Sequence, residues 1–297
     1  CGDYMNINWY PGHMKKTIED IERKKLITDF CIEIIDARIP FSSSNPLLNE
    51  VIKGKKKLII FNKSDLCDEN MTSKWISHYK SNDINVLKYN ATKPNVNAVI
   101  KASMELMAEE IKKFKDKGIN HGALKAMVVG IPNSGKSTFI NGISGRKSAK
   151  TGNTPGITKT NQWIRLNKNL HLLDTPGVLW HKFPENVGIN LAFTGAIKDE
   201  IMDRETLGLK LIERLNSIDK NILKSRYGVD TEKKPIEIME DIGKKRGALL
   251  RGALIDYEKV SSIVLDEFRK GILGRITLED IWLSQPMKKT IEKREVN

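Results

Sequence analysis

Long apolar runs are missing from this chain of 297 residues. None approaches the roughly 18 residues that a membrane-spanning helix requires. Stretches such as Leu58-Ile59-Ile60-Phe61 and Cys31-Ile32-Glu33-Ile34-Ile35 are strand-sized, so no membrane partner is expected. The beginning of the chain has no apolar segment of the secretion-signal kind. Cys1-Gly2-Asp3-Tyr4 ahead of Met5 reads as an appended leader, with Met5 the native start. Cysteine is scarce as well. Cys1, Cys31 and Cys67 have neither metal-ligand spacing nor an even-numbered framework, which excludes a zinc module and a disulfide scaffold. A reducing, cytoplasmic setting follows. There is no internal repeat and no low-complexity tail. Acidic residues are outnumbered: 50 Lys and Arg face 37 Asp and Glu, a formal net charge of +13. That balance favours an anionic partner, nucleic acid ahead of a merely solvated basic surface.

What is present is alternation. Trp9-Tyr10-Pro11-Gly12-His13-Met14 reads as a turn, and a helix follows over Lys15 to Lys25. Strands are expected at Phe30–Ile35, Lys57–Phe61, Asn85–Tyr89, Leu124–Val129, Gln162–Leu166 and Leu170–Leu173, the last two as antiparallel neighbours. Helices are expected between them, opened by Asn45-Pro46, over Met71–Tyr79, and as one long amphipathic helix over Val96–Lys115. Strands alternating with helices predict an α/β fold, a mostly parallel sheet covered on both faces. From Val187 onward only helical spacing survives: Leu207, Leu211 and Leu215; then Ile236, Met239 and Ile242; then Leu249 through Tyr257, extended by Val260, Val264 and Phe268.

The chain is organised around Gly130-Ile131-Pro132-Asn133-Ser134-Gly135-Lys136-Ser137, which matches G-x-x-x-x-G-K-[ST] at every fixed position. It lies between an apolar strand pattern and a helical one, the context a phosphate-binding loop requires. Its backbone amides and the helix start, from Asn133, Ser134 and Gly135 to Thr138, would cradle the phosphates. Lys136 would reach the β- and γ-phosphates, and Ser137 would hold Mg²⁺. Asn62-Lys63-Ser64-Asp65 follows another strand as N-K-x-D, at the end of a strand where α/β folds bind ligands. The Asp65 carboxylate can accept from both N1–H and N2–H of guanine, whereas adenine offers no such donor pair. Asn62 can bond the base and the phosphate loop, and the Lys63 stem can lie along the purine face. Asn90-Ala91-Thr92 comes after the next strand, where guanine-binding proteins place an Ala amide against O6, usually as Ser-Ala-Lys. Asp174-Thr175-Pro176-Gly177 matches D-x-x-G: Asp174 would hold Mg²⁺ through a water, and the Gly177 amide would meet the γ-phosphate. Of the threonines in the polar stretch between them, Thr158 is favoured as a further Mg²⁺ ligand, with Thr154 second.

The order of these motifs is unusual. In an ordinary GTPase the phosphate loop comes first and N-K-x-D late; here positions 62–65 and Ala91 precede position 130. The sequence therefore resembles the circularly permuted P-loop GTPases. The Trp9–Met14 segment, Asp36-Ala37-Arg38-Ile39-Pro40 and the helical tail make it similar to the bacterial ribosome biogenesis GTPase A family, over nearly the whole chain from Met5. The resemblance implies a GTPase domain at residues 1–182 and a helical RNA- and ribosome-binding domain at 183–297. It implies GTP and GDP as ligands, Mg²⁺ as cofactor, and the large ribosomal subunit precursor as partner, with its rRNA and ribosomal proteins. A monomer is expected with it. The tail's own charge supports this less strongly, since residues 221–297 carry 16 Lys and Arg against 13 Asp and Glu. Val178 follows D-x-x-G where many GTPases have a water-orienting Gln. The resemblance assigns that task to His13, ahead of His181, against the alternative of a structural turn histidine. It also implies that Asn133 ligates K⁺. Two other classes stay open at this stage. One is a P-loop metabolic enzyme such as a small-molecule kinase, against which Asp65 argues. The other is a nucleotide-gated RNA-binding module with little hydrolysis, which Val178 keeps alive.

Overall fold

The computed structural model describes residues 4–6, 11–145, 163–197 and 203–281, with side chains from Lys15 onward. In chain order the elements are β1 (Tyr4–Asn6), α1 (Pro11–Leu26), β2 (Phe30–Asp36), α2 (Pro40–Ser43), α3 (Pro46–Val51), β3 (Lys56–Asn62) and α4 (Glu69–Ser81). They continue with β4 (Asn85–Lys88), α5 (Val96–Leu106), α6 (Ala108–Asp116), β5 (Leu124–Gly130), α7 (Lys136–Ser144), β6 (Trp163–Arg165), β7 (Leu170–Asp174) and β8 (Lys182–Pro184). The last described elements are helices: α8 (Glu185–Phe193), α9 (Arg204–Ile218), α10 (Lys220–Tyr227), α11 (Pro235–Arg246) and α12 (Tyr257–Arg269).

Among the described residues, six strands form one sheet in the order β4-β3-β2-β5-β7-β6. All pairs are parallel except β6 with β7, which are antiparallel as expected. β2 is buried at all seven positions, as a central strand covered on both faces must be. Its alternate residues Phe30, Ile32 and Ile34 pack with Val99 of α5 and with Phe139 and Ile140 of α7. On the opposite face, Cys31 meets Ile21 of α1 and Leu48 of α3, and Ile35 shares a cluster with Phe61 and Trp75. From the centre the chain runs outward through β2, β3 and β4 on one side; on the other it passes from β5 to the edge strand β6 and returns to β7 between them. The loops after β2, β3, β4, β5 and β7 consequently open at one end of the sheet, around the switch point between β2 and β5.

Several local expectations need correction. Pro11 to Met14 do not form a turn but begin α1; proline suits a first helical turn because its missing N–H has no intrahelical partner there. The helix expected over Val96–Lys115 is two helices divided at Met107. The break follows Ser103, whose hydroxyl donates to Val99 O at 2.8 Å, a back-bond that bends helices. Residues 249–254 are not helical: Leu250 N donates to Leu254 O at 2.8 Å and Leu249 bridges Ile255. α12 starts only at Tyr257, capped by Asp256, which accepts from Lys259 N at 2.9 Å. α8 and α10 lacked a recognisable stripe in the sequence. The short pair β1–β8 joins the beginning of the chain to the start of the helical region.

The helices from α8 onward share one core, which also takes in Ile39 and Ile131 from the loops of the sheet. After α12 the chain returns to the sheet. Ile276 N donates to Leu66 O and Leu278 N to Arg38 O, both at 2.9 Å. The buried Glu279 carboxylate accepts from Phe41 N at 2.7 Å, from Ser42 and from Asn190 Nδ2 at 2.8 Å. Trp75 Nε1 donates to Glu279 O at 3.0 Å.

Candidate functional site

Each half of the sheet contributes loops to the same end. The phosphate loop leaves β5 at Gly130 and enters α7 at Lys136. Gly135 has φ +91°, and a Cβ there would fall 2.2 Å from Asn62 Nδ2, so the loop can pass the N-K-x-D segment only with glycine at this point. Ser134 is buried and its hydroxyl donates to Ile131 O at 2.9 Å. Ser137 lies in the first turn of α7, with Thr138 exposed beside it. On the neighbouring strand, Asp174 ends β7, and its Oδ1 is 2.5 Å from Lys136 Nζ. The lysine ammonium thus pairs with the carboxylate of D-x-x-G. Gly177 lies against the phosphate loop, where a Cβ would come 3.0 Å from Pro132 N.

The other half supplies the base end. Asn62 is 1% exposed. Its Nδ2 donates to Ser134 O at 2.9 Å, and its Oδ1 accepts from Ala91 N at 3.0 Å. One carboxamide thus ties together the phosphate loop, the end of β3 and the segment after β4. The Ala91 amide is engaged inside the protein, a partner the sequence reading did not foresee. Ser64 Oγ donates to Tyr89 O at 2.8 Å, which pins the two base-side segments to each other. Asn90 Oδ1 accepts from Thr92 N and Thr92 Oγ1 at 2.8 and 2.7 Å, forming a local turn. Asp65 stands exposed on the rim.

Lys63 Nζ bonds Asn133 O at 2.6 Å and Asp36 Oδ2 at 2.8 Å. Burial would raise the Asp36 carboxyl, but the Arg38 guanidinium and then the Lys63 ammonium outweigh it and hold it well below the usual carboxylate range. Burial works the other way on Lys63, bringing it below the ordinary lysine value despite Asp36. Neither Asp36 nor Arg38 had a role assigned from the sequence; an Asp closing a central strand beside the switch point was the available signal. Lys24 was also missed. It is buried on α1, pairs with Asp20 at 2.7 Å and donates to Asp174 O at 3.3 Å, so the helix that carries His13 in its first turn touches the end of β7 from its other end.

Val178 is buried among Ile21, Met127 and Val129, and its amide donates to Gly130 O at 3.2 Å. It packs into the core and orients no water. His13 lies in the first turn of α1, with its side chain outside the described residues. Thr158 and Thr154 are outside the described residues altogether. Asn133 has φ +56°, and its Nδ2 donates to Gly195 O beyond α8. Ser137, in the helix that follows β5, and Asp174, at the end of the adjacent parallel strand β7, are hard oxygen donors, and the carboxylate already attracts a cation, so these residues fit Mg²⁺.

Base-side loops on the first-built half of the sheet and phosphate-side loops on the second make this a circularly permuted P-loop GTPase. Comparison with known proteins narrows the class. The family described as 50S ribosome-binding GTPase matches residues 125–240; a linear match of that kind starts at β5, because N-K-x-D has moved upstream. Ribosome biogenesis GTPase A of Bacillus cereus is 41% identical over 93% of this chain and 94% of its own length. The protein of that name from Thermotoga maritima is 29% identical over 92% of this chain and 94% of its own length. The GDP-bound structure of YlqF from T. maritima superposes with a TM-score of 0.64 at 26% identity, covering 89% of this chain and 98% of that one. The GNP-bound form gives 0.62 at 26% identity, over 90% and 97%. The chain belongs to the ribosome biogenesis GTPase A family. It is a ribosome biogenesis GTPase that binds GTP and GDP and hydrolyses GTP.

Proposed function

We propose that this GTPase acts on the precursor of the large ribosomal subunit, contacting rRNA and ribosomal proteins through the helical region and changing those contacts with its nucleotide state. The observation that carries the nucleotide part is the Asn62 carboxamide, bonded at once to the phosphate loop and to the Ala91 segment. Residues 62–65, 90–91, 133–138 and 177 then form one GTP site. Asp65 reads the guanine edge. An O6 contact from the Ala91 amide requires that amide to leave Asn62. Ser137, Asp174 through a water, and Thr158 would hold Mg²⁺, which supplies charge neutralisation at the phosphates when bound. Lys136 exchanges Asp174 for phosphate oxygens on nucleotide binding.

With Val178 buried, the attacking water is oriented from elsewhere. His13 is the assigned group: a neutral imidazole can orient or accept from water near pH 7. Lys24, in the last turn of the same helix, holds α1 to the end of β7. Asn133, with its carboxamide nitrogen on Gly195 O, keeps its oxygen as a K⁺ ligand. Hydrolysis is slow alone and stimulated by the ribosomal particle.

The division into a GTPase domain, residues 1–182, and a helical RNA-binding domain, residues 183–297, belongs to this reading. Leu179 and Phe183 lie in the core of the helical part, two and six residues past Gly177, so a γ-phosphate that orders Gly177 can act on the helices covalently. The protein works as a cytoplasmic monomer; among the described residues no helix is long and apolar enough to cross a membrane. Co-sedimentation with large-subunit precursors in GTP, GDP and a non-hydrolysable analogue tests the proposal, with His13→Ala alongside. Strong pelleting with the analogue, weak pelleting with GDP, and retention of the His13→Ala variant in GTP are expected. Equal pelleting in all three states would refute it.

A further inference from the structure

Three charged side chains, contributed by the ends of two neighbouring strands, lie behind the base-side loop. Asp36 closes β2 and stands in register with Asn62 of β3. Arg38 and Asp36 are each 2% exposed. Asp36 Oδ1 accepts from Arg38 N at 3.1 Å and Arg38 Nε at 3.0 Å; Oδ2 accepts from Arg38 Nη2 at 2.7 Å and Lys63 Nζ at 2.8 Å. A carboxylate has about four acceptor positions, and all are taken by the protein itself. Asp36 therefore does not touch nucleotide; it acts on Lys63.

Lys63 follows Asn62 with a left-handed backbone, φ 58° and ψ 28°. Its ammonium spans from Asp36 on one side to Asn133 O of the phosphate loop on the other. A lysine side chain held at one end only retains most of its rotamer freedom, worth about 2 kcal/mol; held at both, its stem is a fixed apolar bar. Arg38 in turn reaches the helical region. Its Nη1 donates to Arg269 O at 3.3 Å, and its guanidinium lies 5.3 Å from the centre of the Phe268 ring.

We propose that Asp36 is a positioning residue for guanine-nucleotide binding. It fixes the Lys63 ammonium across the phosphate loop so that the lysine stem is presented flat to the purine, while Arg38 holds the Asp36 carboxylate in place and anchors the group on the C-terminal end of α12. This rests on the reading of residues 62–65 as the base-side loop. It makes the base end of the site, and not only the D-x-x-G end, a point where the helical region controls nucleotide affinity.

A double-mutant cycle on the full-length protein tests this, with fluorescent GDP as the probe and Kd and koff as readouts. Asp36→Asn keeps the shape and removes the charge. It is expected to raise Kd about tenfold, the scale of one charge-assisted hydrogen bond, chiefly through koff. Lys63→Met is expected to raise Kd at least as much. The double variant should bind no more weakly than Lys63→Met alone, because Asp36 has nothing left to position. koff is read only from molecules that have bound, so partial unfolding of a variant does not mask the result. The proposal is overturned if Asp36→Asn leaves koff unchanged, or if it weakens binding equally in the Lys63→Met background. If Lys63→Met itself leaves GDP binding unchanged, the base-side reading fails first and the positioning role falls with it.

Discussion

Replacing Arg38 by Met removes the guanidinium but keeps most of the stem's volume, and the structure sets the size of the effect. Asp36 would stay buried with Lys63 as its only cationic partner. Removing one side of a buried ion pair costs about 3–5 kcal/mol; the remaining lysine places this case near the lower figure. Losing the Phe268 contact adds about 1 kcal/mol. Urea unfolding of the nucleotide-free protein at pH 7 should therefore give a loss of about 3–5 kcal/mol by linear extrapolation. Lys53→Met is the control: its pair with Glu50 is 4.0 Å long with both side chains more than 70% exposed, and such pairs contribute about 0–1 kcal/mol. The pH dependence has a definite sign. In the folded protein Asp36 titrates below its unfolded value, so its contribution is complete above the ordinary Asp value of about 3.9 and is lost as pH falls below it. Without Arg38 the depression is smaller. The penalty should be full at pH 7 and shrink below about pH 4. A penalty under 1 kcal/mol at pH 7, or one that grows on acidification, would refute the account of Asp36 as a carboxylate sustained by Arg38.

Asn62→Ala leaves Ser134 O and Ala91 N without their partner; each buried orphan costs about 1–3 kcal/mol, so the nucleotide-free protein should lose about 2–6 kcal/mol in the same unfolding assay. Gly135→Ala forces a Cβ into Asn62 Nδ2 at a backbone angle that L-residues avoid; fluorescent-GDP titration should show affinity falling more than about a hundredfold, with the circular-dichroism spectrum unchanged. Cys31 and Cys67 are fully buried. Burial pushes the Cys31 thiol up to about 12 and raises Cys67 as well. In a Cys1→Ser background an aromatic disulfide reagent at pH 8 should find no reactive thiol in the native protein and two after denaturation.

The alternation of apolar strands with amphipathic helices made the parallel sheet readable, because a strand buried on both faces has to be a continuous apolar run. β2, β3, β5 and β7 were placed to within a residue or two at each end. Periodicity was less informative where burial is not one-sided. α8 is buried at seven of its nine positions and so carries no stripe. The Leu249–Leu254 segment is rich in leucine yet folds as a turn, with Leu250 and Leu254 exposed. For the site, motif spacing identified the phosphate loop, N-K-x-D and D-x-x-G, since each is a short local segment whose chemistry depends on its own residues. The engagement of Ala91 N by Asn62, of Lys136 by Asp174 and of Asn133 by Gly195 could not be read that way. Each joins residues 29, 38 or 62 positions apart.

The sequence alone determined that this is a guanine-nucleotide-binding GTPase in permuted order, because motif identity and order are covalent facts and the sheet tolerates a new break when its old ends are joined. Only the tertiary structure decided how the helical region is held to the nucleotide end. Arg38 and Arg269, 231 residues apart, meet behind the base-side loop, and the segment after α12 returns to bond Leu66 and Arg38. Those contacts depend on where the sheet brings distant loops together and on the need to neutralise Asp36 once it is buried there. Neither leaves a periodic or spaced signal in the chain.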